Sequence, residues 1–330
     1  MAETGYDVTA IGNAIVDVLA RADDAFLSEQ RLAKGAMSLI DEEAAERLYS
    51  VMGPGIEISG GSAANTVAGV AGLGGRAAFI GKVADDVLGR VFAHDIRAAG
   101  VAFDTPPLNG ASSTARSLIF VTPDAQRTMQ TFLGAAGEVG PEDIDEALIA
   151  ASRVVYLEGY LWDKPRAKEA FVKAARAAAA SGRKVALTLS DPFCVDRHRE
   201  SFLELVEGHV DVLFANEEEI KSLYEVSEFD AALQQVRGHC EIAALTRSER
   251  GSVVVNGDEV HVVDAEPGAP VVDTTGAGDA YAAGFLFAYT RGRDLHTCAK
   301  LGGVLAAEVI GHYGARPEAD LRRLATRAGL

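Results

Sequence analysis

The chain has 330 residues, 48% of them hydrophobic, which suits one large α/β domain with an appendage or two ordinary domains. Its formal net charge is -17 and its sequence pI is about 4.8, a balance that excludes nucleic acid and anionic membrane as partners. Three widely spaced cysteines, Cys194, Cys240 and Cys298, make no Cys-x-x-Cys, so a disulfide framework or zinc site is not expected and a reducing cytosol fits.

The first residues, 1–7, are polar and acidic, unlike a signal peptide, and no apolar run approaches the ~20 residues of a transmembrane helix. A cytoplasmic protein is expected. Residues 7–13 read as a buried strand ending at Gly12-Asn13, and 14–20 continue extended with Asp17 alone in an apolar run. Burying that acid requires hydroxyl, amide or cation partners; a solvated edge position is the alternative. A short helix at 23–31, a strand at 36–40 and a helix from 42 to 51 capped by Asp41 follow. Gly60-Gly61 reads as a turn into a helix at 63–73 rich in Ala, Gly and Val, suited to close packing. Asn65 falls in the first turn of that helix, where Asn is a poor helix former and more readily a functional one.

A strand at 77–81 and a helix at 88–99 come next. From 112 to 121 and 127 to 133, β-branched and aromatic residues recur without helical period, which predicts a small β appendage. Beyond 142 the texture alternates. Strands are expected at 154–157, 184–189, 210–215 and 241–246, with a hairpin at 252–263. Helices are expected at 165–181, 199–206, 217–224, 279–290 and 295–310. Such alternation implies a mostly parallel sheet with helices on both faces.

Several familiar motifs fail on context. Gly72-Leu73-Gly74-Gly75-Arg76-Ala77 follows a helix and precedes a strand, the reverse of a dinucleotide fingerprint. The seven histidines make no metal-binding pattern, and no Gly-x-Ser-x-Gly occurs.

Asp273-Thr274-Thr275-Gly276-Ala277-Gly278-Asp279 carries the strongest chemical signal. A glycine-rich turn opening a helix aims unpaired N–H groups outward at the positive end of the helix dipole, which is an anion site. An acid placed beside it points to phosphoryl transfer with Asp279 as base. Asn216 and Glu219, just past a strand, can orient water around Mg²⁺ and touch phosphate, although they equally suit a plain acidic helix N-terminus. Thr246-Arg247, also past a strand, suits a nucleotide phosphate.

Together these stretches resemble the ribokinase-like (PfkB) family of carbohydrate and nucleoside kinases. The resemblance rests on Gly60-Gly61 with Asn65, on 273–279 followed by Ala283-Gly284-Phe285, and on Asn216-x-x-Glu219. Within the family the chain looks most like the adenosine kinases, through Gly12-Asn13-x-x-x-Asp17, the stretches at 187–193 and 210–217, and Tyr156-Leu157-Glu158-Gly159-Tyr160. The implied architecture is one ribokinase-like α/β domain over 1–330: a central, mostly parallel sheet with helices on both faces, plus a small β-sheet lid formed by roughly 14–41 and 101–133.

The implied activity is ATP-dependent phosphorylation of a nucleoside 5'-hydroxyl, with adenosine to AMP as the first expectation. Within the family the alternatives are a sugar (ribose, fructose or a ketodeoxy sugar acid) or another nucleoside (guanosine, inosine, cytidine). By motif position Asn13, Asp17, Gly60, Gly61 and Asn65 would hold the acceptor's hydroxyls, with Met37 and Tyr160 beside it. Arg127 would neutralise the transferring phosphate, and Gly276, Ala277 and Gly278 would form the anion hole. Asn216, Glu219, Thr246 and Arg247 would serve ATP, Glu219 meeting Mg²⁺ through water, and Asp273 would take part in a monovalent cation site such as one for K⁺. The partners implied are a small nucleoside or sugar and ATP, in a monomer or a homodimer joined through the lid. Met37, Phe120, Tyr160 and Trp162 favour a base over a bare sugar, or serve as packing. Leu161-Trp162 and Ser248 depart from the family pattern, the latter standing where a glycine is common.

Overall fold

The computed structural model describes residues 5–110, 112–124, 126–267 and 270–329; residues 1–4 of the acidic N-terminus lie outside them. In chain order the first elements are β1 (Tyr6–Ile11), β2 (Ile15–Arg21), α1 (Asp24–Glu29), β3 (Met37–Leu39), α2 (Glu42–Val51) and β4 (Gly55–Gly60). Next come α3 (Ser62–Gly72), β5 (Ala77–Ile80), α4 (Val87–Ala98), β6 (Val101–Ala102), β7 (Ala115–Val121) and β8 (Arg127–Phe132). The following run is α5 (Glu146–Ala150), β9 (Ser152–Glu158), α6 (Pro165–Ala180), β10 (Lys184–Thr188), α7 (Pro192–His209) and β11 (Val212–Asn216). The chain continues with α8 (Glu217–Tyr224), α9 (Phe229–Val236), β12 (Ile242–Thr246), β13 (Ser252–Asn256) and β14 (Glu259–Val263). Helices α10 (Ala277–Tyr289), α11 (Leu295–Val309) and α12 (Leu321–Arg327) close it.

Nine strands form the large sheet in the order β14-β13-β12-β11-β10-β9-β1-β5-β6. The pairs from β12 to β6 run parallel, and the β13–β14 hairpin adds antiparallel strands at one edge. Strand alternation assigns the two cores. Val154 and Tyr156 of β9 join one buried cluster with α3, α10 and α11, while Val155 and Leu157 join the other with α6 to α9. Strand β1 lies between β5 and β9, where the winding direction reverses. Ligands of open α/β sheets bind in the crevice at that point, outside the carboxyl ends of the strands. No helix among the described residues is long and apolar enough to cross a membrane.

The second sheet has five strands in the order β3-β8-β7-β2-β4. Expected segments 14–41 and 101–133 contain four of them. The exceptions correct the boundary at both sides: β4, which precedes the Gly60-Gly61 turn, pairs with β2 in the small sheet, and β6 pairs with β5 in the large one. Strand β2 is interior, flanked by β4 and β7, so Asp17 is not an edge residue.

The helices match the expected pattern with physical exceptions. Helix α7 begins at Pro192, not near 199, because Asp191 caps it at Cys194 N (2.7 Å) and Pro192 suits the first turn. A break at His198 separates its two halves. Helices α9 and α12 were not anticipated. The small-residue faces of α3 and α10 meet closely: a Cβ on Gly69 would stand 2.7 Å from Ala283 Cβ. That contact brings the start of α3 beside the start of α10.

Candidate active site

Asp279, in the first turn of α10, faces the first turn of α3. Its Oδ1 accepts the Ser62 hydroxyl at 2.6 Å and its Oδ2 accepts Asn65 Nδ2 at 3.1 Å. Burial raises its carboxyl above the ordinary carboxylate range, while Ser62, Asn65 and the Arg316 charge oppose that rise. A base with a raised pKa and two fixed donors is oriented and can still take a proton.

The turn before it requires glycine. Gly276 has φ 77°, and a Cβ there would stand 2.6 Å from Ala315 Cβ. Gly276 and Gly278 present N–H groups at the helix start, where no intrahelical acceptor exists. Ala277 differs from the expected anion-hole role: its N–H donates to the Thr274 carbonyl at 3.2 Å.

Across the crevice Asp17 extends from β2 toward Gly60, whose position a Cβ would contest with the Asp17 carboxylate. Burial pushes Asp17 up to about 6, against the pull of Arg127 and Arg316 and with help from Asp279. Gly61 has φ 97°, and a Cβ there would collide with the Asn13 carbonyl. Asn13 itself is buried, and its side-chain amide donates to Glu158 Oε1 at 2.6 Å. Asn13 Nδ2 thereby holds the floor of the site. Glu158, 1% exposed, also accepts Asn13 N (3.3 Å) and Ala63 N (2.8 Å). Burial pushes its carboxyl up to about 7 despite these donors.

Arg127 reaches from β8 to pair with Asp273, and its Nε has no hydrogen-bond partner among the described residues. Asp273 also accepts Thr275 N and Gly314 N, each at 3.0 Å. The Asp273 carboxylate thus anchors Arg127 and the start of the turn.

A second cluster lies at the carboxyl ends of β11 and β12, where Asn216 and Thr246 are register partners. Asn216 caps α8, and Glu219 returns the bonds to Asn216 N (2.9 Å) and Nδ2 (2.6 Å). Glu219 is 5% exposed, and burial pushes it up to about 7. Each of its oxygens accepts one bond from the cap, which leaves lone pairs that would meet Mg²⁺ through water when the nucleotide is bound. Among the described residues no group of three or more His, Cys, Asp or Glu could hold a metal ion. Arg247 lies beside the α8 cap. It pairs with Glu217 at 3.1 Å and lies over the Phe229 ring at 3.9 Å, so the guanidinium buttresses α8.

Of the aromatic candidates, Trp162 and Phe120 are core. Trp162 stacks on Phe202 with centroids 5.7 Å apart, and Phe120 packs on Phe26. Met37 is 50% exposed and Tyr160 37% exposed. Sequence reasoning missed Ser62, Glu158 and Arg316. Ser62 follows the glycine pair directly and was within reach; the other two act through partners far away in the chain.

An oriented proton acceptor beside a helix-start anion cradle is the working arrangement of a phosphotransferase with a hydroxyl acceptor. The chain belongs to the pfkB family of carbohydrate kinases, whose pattern it matches over residues 57–321. It is 58% identical to a solved adenosine kinase from Sinorhizobium meliloti, covering 98% of this chain and 99% of that one with a TM-score of 0.90. A probable sugar kinase protein from Rhizobium etli CFN 42 is 53% identical, with 99% of both chains covered and a TM-score of 0.91. Adenosine kinase of Saccharomyces cerevisiae is 26% identical over 330 residues, 93% of this chain and 95% of that protein.

Proposed function

We propose that this kinase transfers the γ-phosphoryl group of ATP to the 5'-hydroxyl of a nucleoside, adenosine first. The observation that carries the reading is Asp279, held by Ser62 and Asn65 at the mouth of the Gly276–Gly278 turn. The acceptor hydroxyl gives its proton to Asp279 as its oxygen bonds to phosphorus; the bond from phosphorus to the ADP oxygen breaks, and ADP leaves. Amides of the turn and Arg127 face the charge on the transferring group.

The small sheet supports a base-bearing acceptor. Register places Ile56, Leu19, Ile119, Met129 and Met37 in one row on the face that carries Asp17. That row is an apolar surface next to the carboxylate that would bind ribose hydroxyls. A heterocyclic base has a face to lay on it and a bare sugar has none. A sugar kinase is the second reading, favoured by the likeness to the probable sugar kinase protein.

A panel of adenosine, guanosine, inosine, cytidine, ribose, fructose and a ketodeoxy sugar acid, assayed for ATP-dependent phosphorylation, separates the two. The expected result is the highest kcat/KM on adenosine. Turnover confined to sugars would replace the nucleoside reading.

A further inference from the structure

Arg316 lies in the loop between α11 and α12, outside every motif singled out above. Its guanidinium nevertheless touches the acceptor site. Nε donates to Asn65 Oδ1 at 2.7 Å, and Nη2 donates to the Ser59 carbonyl at 2.8 Å and to Ser59 Oγ at 3.0 Å. Ser59 donates in turn to Asp95 Oδ2 from its N–H at 2.8 Å and its hydroxyl at 2.6 Å. A single line of bonds therefore runs from α4 through β4 and the C-terminal loop to α3 and on to Asp279.

The direction of each bond is forced. A guanidinium has donors only, so Asn65 must turn its oxygen toward Arg316. Its NH₂ group then faces Asp279. The flipped amide would set a carbonyl against the carboxylate and an NH₂ against the guanidinium, two repulsions in place of two bonds. Charge gives the same assignment. Asp17 from β2, Asp95 from α4 and Asp279 from α10 all act on Arg316. Arg127 from β8 acts on Asp17 as well, and Asp279 acts on Glu158 from β9.

We propose that Arg316 is a positioning residue of the phosphoryl-transfer site. It locks Asn65 into the orientation that aims the base, supplies the positive charge that Asp17 and Asp279 share, and ties both to β4 of the small sheet. The proposal rests on the reading of Asp279 as base.

The test uses full-length wild type, R316Q, R316K, N65A and R316Q/N65A on whichever acceptor the wild type turns over. Readouts are kcat, KM for each substrate, the pH profile of kcat/KM, and a thermal melt. R316Q is expected to lower kcat by about 100-fold, the scale of a misplaced catalytic group, with KM for ATP unchanged. Its acid limb should move to higher pH, because the carboxylates lose their cation. R316K keeps the charge but not the planar fork; it should keep the acid limb and lose kcat. The double variant should lose less kcat than the product of the two single losses, since Arg316 acts in part through Asn65.

Wild-type kcat and an unmoved acid limb in R316Q would overturn the proposal, as would losses that multiply in the double variant. If R316Q does not fold, R316K decides: full kcat there overturns it. D279N as active as wild type overturns the base assignment and this proposal with it, whereas an inactive D279N beside an unimpaired R316Q overturns the proposal alone. No turnover of any acceptor by wild type overturns both.

Discussion

At the scale of single residues, burial makes Asp17, Glu158 and Asp279 reluctant to ionise, while donors and Arg127 keep Asp273 charged. Asp279 is the one placed to receive a proton. Asp279→Asn is expected to lower turnover by ~10²–10⁴, the range for loss of a general base, with nucleoside binding retained in calorimetry. Glu158 is different: it accepts three N–H groups and faces no crevice. Its carboxyl stands at about 7 in the folded chain against an ordinary 4.5. The folded state therefore binds the extra proton, and stability from this group falls as pH rises from about 4.5 through 7. Glu158→Gln removes that dependence. Urea unfolding at pH 5 and 7.5 should show wild type losing on the order of 2 kcal/mol relative to the variant between the two.

At the scale of elements, the start of α10 and the loop carrying Arg316 are built as one piece. Gly276 leaves no space beside Ala315, and its φ of 77° is unfavourable for an L side chain. Gly276→Ala should destabilise the protein by about 2 kcal/mol or more. It should also lower kcat more than thermal stability alone explains, which comparison of Tm and kcat for the purified variant checks. This junction also marks how far the sequence could be read. The turn at 273–279 and Gly60-Gly61 were legible because glycine spacing beside an acid reports local backbone chemistry. Asn65 was legible as a poor helix former at a helix start. Helices such as α8 were legible to the residue, since Asn216 and Glu219 form a capping pair. Arg316 was not, because its role depends on Ser59 and Asn65, which pairing brings near but no spacing shows. Strand β4 was hidden by the glycines at both its ends, and Trp162 stayed open between pocket and packing because an apolar residue beside a site looks alike in both. Ser248 was noticed as a departure from glycine, and its φ of 51° supplies the backbone reason.

At the scale of the molecule, the small sheet is tied to the large part at several points, two of them at the site. Arg127 on β8 pairs with Asp273 ahead of α10, and Ser59 on β4 receives Arg316. Both partners of the first tie are more than nine-tenths buried in their side chains. Asp273→Asn leaves a buried guanidinium without its counter-charge, which costs about 3 kcal/mol or more. A lower urea midpoint together with reduced kcat is expected. A changed midpoint with full turnover would show that Arg127 needs no anchor.

The residues around Asp279 come from both ends of the chain: Asp17, Ser62 and Asn65 early, Arg316 late. Strands β1 to β8 emerge first during synthesis, yet the pocket they border has no base until α10 docks on α3. Parallel pairings of this kind are slow, because loop closure precedes any contact. A chain part-way through refolding thus holds helix and sheet before it holds a competent pocket. The apolar row of the small sheet is open in the folded chain as well, Ile56 at 68% and Met37 at 50% exposure, so completing the fold does not by itself cover it.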